Sequence, residues 1–231
     1  MDYSETSIIA RVYTEQLGLQ SYIVKGVRKK GARIKQNLFA PLSIIQVVAN
    51  HKEGEGLRII RDASCEYHLN GIASDMGKTA VGIFISELLS RAISAQMADK
   101  NLYAFIEQSI LNLNDTTGPI SGFPLAFTIG LTRLLGFGPL NNFSNSSTFF
   151  DMMGGNFCPL PAGHPYYLSS PLSDNLSEVL TALNAGVSYL IVSNEIRNQL
   201  LAKMLVYFRL HIPAFGEVKS VNILSDVLRD Q

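Results

Sequence analysis

The sequence is poor in cysteine, lacks tryptophan and has no excess of either charge. Its 231 residues include two cysteines, and 19 Lys and Arg balance 19 Asp and Glu. Two cysteines, Cys65 and Cys158, are too few for a disulfide framework or a four-thiolate zinc site within the chain, which argues against a secreted scaffold. A charged fraction of 16% beside 47% hydrophobic residues argues against a disordered chain. The length predicts one or two globular domains.

Long apolar runs are also missing. The N-terminus has two acids among its first five residues, so it predicts neither a signal peptide nor a transit peptide. The apolar segment 123–137 is shorter than a bilayer crossing and contains Arg133. The longest uncharged stretch, 152–173, is interrupted by four prolines and three glycines, which a spanning helix does not tolerate. We therefore expect no membrane segment and a cytoplasmic location.

The balanced charge is an average over two different halves. Residues 1–70 contain 10 Lys and Arg against 7 Asp and Glu, whereas residues 71–231 contain 9 against 12. The positive charge is concentrated in residues 25–35, here named the basic loop, whose two glycines separate cations without any acid. Such a loop favours binding to nucleic-acid phosphates, and a solvated loop without a ligand is the alternative. Its six cations are Lys25, Arg28, Lys29, Lys30, Arg33 and Lys35.

The hydrophobic pattern changes at the same place as the charge. Residues 7–69 contain short runs rich in β-branched and aromatic residues, which predict a small antiparallel sheet or barrel. From residue 75 onward, apolar residues recur at three- and four-residue spacing, which predicts helices. Residues 138–174 are rich in Pro, Gly, Asn and Ser, which predicts an irregular excursion. We expect an α+β protein with a sheet domain at 1–70 and a helical domain at 71–231.

One segment invites comparison with a phosphate-binding P-loop. GIASDMGKT, residues 71–79, ends in Gly77, Lys78 and Thr79, the residues on which a nucleotide hydrolase would depend. Five residues separate its glycines where a P-loop has four, so the backbone would not close around a phosphate. The favoured interpretation is that Ser74 or Asp75 caps a helix and that Lys78 faces water. The hydrolase remains the alternative function.

Other catalytic or metal signals are weak. Cys65 with His68 and Cys158 with His164 form only a loose candidate Cys₂His₂ set, and only the first pair has common zinc-ligand spacing. There is no G-x-S-x-G nucleophile motif. We therefore expect no enzyme, no metal and no cofactor. A protein-interaction scaffold whose basic loop binds an acidic partner, without DNA, is a further alternative. Three aromatic residues near the loop are candidates for stacking on unpaired bases, or for the core: Tyr13, Tyr22 and Phe39.

Several short elements occur in a fixed order along the chain. YSETS, YTEQLGL, KGVR and LFAPL follow one another in the first 42 residues. ELLSRAI, TRLLGFGPL and RNQLLAKMLVYFRLHI follow in the second half. In this order they resemble the bacterial recombination mediator family RecO, and above all its Bacteroidetes members, over nearly the whole chain.

The resemblance implies an N-terminal OB-fold barrel, a helical domain and a function without catalysis. Family members bind single- and double-stranded DNA, anneal complementary strands, act with RecR and help to load RecA onto DNA coated by the single-stranded-DNA-binding protein. By position, the six cations of the basic loop are the implied DNA contacts. The helical domain of the family binds the acidic, phenylalanine-ended tail of the single-stranded-DNA-binding protein in an apolar pocket with a cationic rim. For that rim we predict Arg133, with Arg197 and Lys203 behind it.

Two departures from the family pattern lead to further expectations. Family members begin with an extra segment that supplies a first strand before the YSETS element. We expect the barrel to lack that strand and to expose an edge, and a start codon assigned too far downstream is the alternative. Some relatives carry a four-cysteine zinc site in the region that corresponds to 138–174. This chain has only Cys158 there, so we expect that zinc site to be absent.

Overall fold

The fold is taken from a computed structural model that describes residues 2–50, 58–94, 98–187 and 192–228. Contacts divide the chain into two compact units. The first unit comprises residues 1–74 and 93–114, and the second comprises residues 75–92 and 115–231. The predicted α+β fold, strands first and helices after, is confirmed.

The first unit is built on a five-stranded sheet of order β1-β2-β3-β5-β4. Neighbouring strands are antiparallel, except that β3 and β5 are parallel. Within the described residues β1 and β4 are the two edges, so the sheet is open, as expected of a partial barrel. The strands are β1 (Asp2–Ser4), β2 (Ser7–Thr14), β3 (Gly18–Val24), β4 (Ile45–Ala49) and β5 (Arg58–Cys65), and a 3₁₀ turn spans Gln36–Phe39.

Alternation along these strands builds the core of the first unit. In β2 the residues Ile8, Ala10 and Val12 face one side, where they meet Tyr22 and Val24 of β3. Period-two alternation places such residues on a single face of a sheet. Burying each large aliphatic side chain stabilises the fold by about 1.5–3 kcal/mol. This alternation therefore fixes which face of the sheet is covered.

Two helices complete the first unit, α1 (Asn70–Ser74) and α3 (Lys100–Asp115). Tyr103 of α3 stacks on Tyr13 of β2, with ring centroids 6.4 Å apart. The Tyr13 hydroxyl also donates a hydrogen bond to the Asp99 carbonyl. The periodicity correctly predicted α3 as a helix, but nothing in its apolar stripe indicated that it would pack with the sheet.

The second unit consists of five helices and a small sheet in its described part. The irregular excursion contains three short strands in the order β7-β6-β8, which the sequence did not predict. These strands have only two or three residues each, which is too short to show a period-two pattern in the sequence. The elements are α2 (Met76–Ala92), α4 (Phe123–Leu134), β6 (Phe149–Asp151), β7 (Asn156–Cys158), β8 (Tyr167–Leu168), α5 (Leu172–Asn184), α6 (Asn194–His211) and α7 (Val221–Val227).

Helix α4 ends in a turn that explains the TRLLGFGPL element. Gly136 has φ 86°, a left-handed conformation that glycine adopts without strain. Its N–H donates to the carbonyl of Arg133, and the N–H of Phe137 donates to that of Thr132. This pair of bonds is the Schellman motif, which satisfies carbonyls left open at a helix end. The turn directs Phe137 towards α6.

An aromatic cluster joins α4, α6 and the excursion within the second unit. The Phe137 ring stacks on His211 with centroids 5.1 Å apart, and the Tyr207 hydroxyl donates to the Phe137 carbonyl at 2.7 Å. Tyr207 also contacts Phe150 of β6. Burial, and to a lesser extent the charge of Asp151, raises the pKa of Tyr207 to about 12. The phenol is thus a fixed neutral donor.

A partly buried polar contact joins helix α2 to the start of helix α7. Glu87 accepts hydrogen bonds from the Ser220 N–H at 2.8 Å and the Ser220 hydroxyl at 2.7 Å, and it pairs with Arg91. Desolvation alone would raise the pKa of the Glu87 carboxyl, but these donors outweigh it and lower that pKa to about 2. None of the helices in the described ranges is long and apolar enough to cross a membrane.

Candidate nucleic-acid interface

The basic loop is anchored to the core at two points. Val27 and Ile34 are only 5% and 8% exposed, and both belong to the apolar cluster of the first unit. Between them the chain turns through Gly31, whose φ is 79°. The turn is closed by hydrogen bonds from the Lys29 N–H to the Gly26 carbonyl and from the Ala32 N–H to the Lys29 carbonyl. The core contacts and the turn therefore hold the loop in a defined conformation.

All of the cations predicted on this loop are exposed. Apolar residues of the loop point inward while the long charged side chains point to solvent. The start of the loop is also tied to the turn between β1 and β2, because the Arg28 N–H donates to the Thr6 carbonyl. The loop follows β3, so it lies at the end of the sheet opposite the β2–β3 hairpin. The exposed cations are Lys25, Arg28, Lys29, Lys30, Arg33 and Lys35.

Asp62, a described acid outside the loop, reaches one of the loop's cations. Arg33 donates to Asp62 of β5 at 2.9 Å, in a pair whose side chains are 79% and 48% exposed. The sequence shows no acid within residues 25–35, and Arg33 and Asp62 are 29 positions apart, so no local pattern indicates this contact. The parallel pairing of β3 with β5 brings them together.

The three aromatic candidates for base stacking are engaged in protein contacts. Tyr22 is 3% exposed in the core, and Phe39 packs against the same cluster. Tyr13 is held between Asp99 and the ring of Tyr103. The core alternative was therefore the correct one for Tyr22 and Phe39. Contacts of this surface with nucleic acid would be made by charge rather than by these rings.

The three predicted rim cations differ in their exposure. Arg133 is exposed, with its aliphatic stem over Gly138, and partial burial lowers the pKa of its guanidinium. Arg197 is 7% exposed and donates to Asn194, and desolvation lowers its pKa. Lys203 is exposed on another face of α6. Arg133 and Lys203 are exposed, whereas Arg197 is largely covered, so Arg197 has the least access to a partner and its place in the rim stays a prediction.

The segment that resembles a P-loop is helical on both sides of Asp75. The Asp75 carboxylate accepts a hydrogen bond from the Lys78 N–H at 2.9 Å, so it caps α2 as one of the two predicted candidates. This cap places a negative charge where a bound phosphate would lie. Lys78 is 9% exposed, and the prediction that it faces water is wrong. Gly77 and Thr79 lie within α2 and form no phosphate-binding loop.

Of the candidate metal residues, Cys65 and His68 belong to the first unit, and Cys158 and His164 belong to the second. The Cys65 sulfur lies 3.8 Å from Nδ1 of His68 in the first unit. In the second unit, Cys158 Sγ contacts the carbonyls of Phe149 and Leu160. Across residues 2–50, 58–94, 98–187 and 192–228, no three His, Cys, Asp or Glu side chains are grouped as metal ligands.

Known protein families match both parts of the chain. The family described as Recombination protein O N terminal matches residues 1–67, and the one described as Recombination protein O C terminal matches residues 73–214. The first match ends at residue 67 and the second begins at residue 73, and the predicted boundary at residue 70 lies between them.

Curated relatives match over almost their whole length. A protein of Bacteroides fragilis named DNA repair protein RecO is 31% identical over 229 residues, covering 98% of this chain and 94% of the relative. Proteins of the same name from Phocaeicola vulgatus and Azobacteroides pseudotrichonymphae are 29% and 28% identical, with the same coverage of each chain.

The open N-terminal sheet with its anchored cationic loop, followed by helices, defines a two-part protein of the OB-fold and helical-domain class. Both family matches and the curated relatives agree in identifying the group within that class. The chain belongs to the recombination protein O family, RecO. The sequence resemblance to RecO is thus confirmed.

Proposed function

We propose that this chain is a DNA-binding recombination mediator that acts in DNA repair. The observation that carries the proposal is the basic loop, whose six exposed cations stand on a turn anchored by Val27 and Ile34. Each phosphate that these cations neutralise releases condensed counterions, which provides affinity without reading sequence. Phosphate contacts of this kind suit both single- and double-stranded DNA. Family membership supports the same role.

The finer steps of the proposal concern strands and partners. We infer that the chain anneals complementary strands, since a cationic surface reduces the repulsion between two phosphate backbones. We also infer that it acts with RecR and helps to load RecA onto DNA coated by the single-stranded-DNA-binding protein. These partners are supported by family membership alone. The corresponding location is the cytoplasm, at the nucleoid.

Direct titration tests DNA binding. The chain is expected to bind labelled single- and double-stranded oligonucleotides, with log K falling linearly as log salt rises. The slope for single strands should be about −0.7 for each phosphate contact. Measurements at two salt concentrations give both the affinity and the slope. A chain that binds an acidic protein partner but no oligonucleotide at low salt would instead be a protein-interaction scaffold.

Arg133 is the proposed contact for the acidic tail of the single-stranded-DNA-binding protein. It is an exposed cation at the end of α4, close in sequence to Leu140, which is 61% exposed. An exposed cation and an exposed apolar side chain in the same segment suit a peptide with acidic residues and a terminal aromatic ring. Lys203 is retained as a second candidate.

Replacing Arg133 with alanine should weaken binding of that acidic peptide about 10-fold, the loss expected for one charged hydrogen bond. Oligonucleotide affinity should stay nearly unchanged, because the basic loop is intact. Fluorescence anisotropy with a labelled peptide measures the first, and the same method with an oligonucleotide measures the second. Arg209→Ala, at an exposed arginine that is not proposed to contact the peptide, serves as the comparison variant, and Lys203→Ala tests the second candidate. Equal loss of both affinities in Arg133→Ala would show misfolding and contradict the assignment.

A further inference from the structure

The contact between the basic loop and β5 has a defined local geometry. In the pairing of β4 with β5, Val48 is opposite Asp62 while Ala49 is opposite Ile60. Arg61 is therefore an extra residue in the register, a β-bulge. Bulges redirect side chains, and Arg61 is exposed immediately before Asp62. Two arginines are therefore close to Asp62. Arg33 of the loop contacts its carboxylate, and Arg61 of the strand is the residue before it in sequence.

The Asp62 carboxylate is itself held in position. One oxygen accepts a hydrogen bond from the Ala63 N–H at 3.1 Å, and the other accepts from the Arg33 guanidinium at 2.9 Å. A guanidinium presents its donors to a carboxylate and to a phosphate in the same fork geometry. The carboxylate therefore lies where a phosphate oxygen would bind Arg33.

We propose that Asp62 is an internal counter-ion that fills a phosphate subsite of the DNA-binding surface, formed by Arg33 with the bulged Arg61. The inference rests on the proposed DNA-binding function and extends its surface from the basic loop onto β5. A backbone phosphate of DNA takes the place of the Asp62 carboxylate on Arg33. Because both partners are largely exposed, this exchange costs little, and Asp62 lowers DNA affinity without abolishing it.

Asp62→Asn separates the charge from the shape of the side chain. The amide oxygen keeps the hydrogen bond from the Ala63 N–H, while the amide nitrogen turns towards Arg33 and cannot accept from it. Affinity for a single-stranded oligonucleotide should rise about two- to fivefold, the range that corresponds to an exposed ion pair. Asp62→Glu, which keeps the charge, should show no such rise.

The matched control removes an acid at the other end of the same sheet. Glu15 lies in the β2–β3 hairpin, opposite the basic loop, and is exposed. Glu15→Gln changes the net charge as Asp62→Asn does, so it should leave affinity unchanged if the effect is local. Arg61→Ala should weaken binding about three- to tenfold, as expected for one phosphate contact at low salt.

A double-mutant comparison decides whether Asp62 acts through Arg33. In an Arg33→Ala background, Asp62→Asn should give no further gain in affinity. An unchanged or reduced affinity in Asp62→Asn, a gain that persists without Arg33, or an unaffected Arg61→Ala variant would each overturn the proposal. Failure of the DNA-binding function itself has a different signature. In that case the unmodified chain would bind no oligonucleotide at all.

Discussion

Replacing Lys29, Lys30 and Arg33 together with glutamate is expected to lower the affinity for single-stranded DNA roughly 100- to 1,000-fold at 0.05 M salt. Each phosphate contact contributes a slope of about −0.7 to log K against log salt, so three lost contacts remove about two units of slope. The introduced carboxylates add repulsion. Anisotropy titrations at two or more salt concentrations measure the affinity and the slope together.

A control with the same change in net charge distinguishes a local site from general attraction. Lys100, Lys203 and Arg209 are exposed and lie outside the basic loop. Their triple replacement with glutamate should weaken binding far less than the loop variant, because long-range attraction is screened beyond about 10 Å at 0.1 M salt. Equal losses in the two variants would mean that net charge, rather than the loop, determines binding.

The loop variant should also fold normally. All three side chains are exposed, while the residues that anchor the loop, Val27 and Ile34, are unchanged. Exposed substitutions of this kind usually change the free energy of unfolding by less than about 0.5 kcal/mol. Removing the Arg33–Asp62 pair adds at most about 1 kcal/mol. A thermal unfolding curve close to that of the unmodified chain therefore assigns the lost affinity to the surface.

What the sequence could predict was local in nature. The basic loop was visible because its cations are consecutive, and the helices were visible because their apolar residues recur within one or two turns. The loop's exposure followed from that composition. The role of Val27 and Ile34 as anchors depends on strands that lie far apart in sequence, and no local pattern indicates it.

The features that the sequence could not predict depend on contacts between residues that are distant in the chain. Asp62 reaches Arg33 only because β3 and β5 pair in parallel. Arg197 was taken for a surface cation because arginine is usually exposed, yet packing of α6 buries it. Lys78 was misjudged for the same reason. Charge alone does not tell which face of a helix is covered.

Gly71 shows how one residue can suggest the wrong chemistry. In the sequence it is the first glycine of the segment that resembles a P-loop. In the structure it belongs to α1, where a Cβ would lie 2.0 Å from the backbone carbonyl oxygen of Asn114. The side chain of Asn114 also accepts a hydrogen bond from the Ile72 N–H. Glycine is required here for the close approach of α1 to the end of α3.

Gly71→Ala should therefore destabilise the first unit by about 2–4 kcal/mol. The gain in helix propensity from glycine to alanine is only about 1 kcal/mol, whereas overpacking against fixed backbone costs about 3 kcal/mol or more. For a chain of this size we expect the unfolding temperature to fall by roughly 4–15 °C. Calorimetry or circular dichroism measures the shift. Truncating Asn114 cannot relieve the clash, because it is the backbone carbonyl that is struck.

Gly163→Ala is the matched control for the same added methyl group. No atom lies within 4 Å of the position that its Cβ would take, and its φ is outside the left-handed region. Its unfolding temperature should stay within about 2 °C of that of the unmodified chain. A nucleotide hydrolase that uses this segment makes the opposite prediction. In that case Gly71→Ala would abolish ATP binding and leave stability unchanged. Close packing of α1 against α3 predicts instead that the substitution lowers stability and does not alter the affinity for ATP.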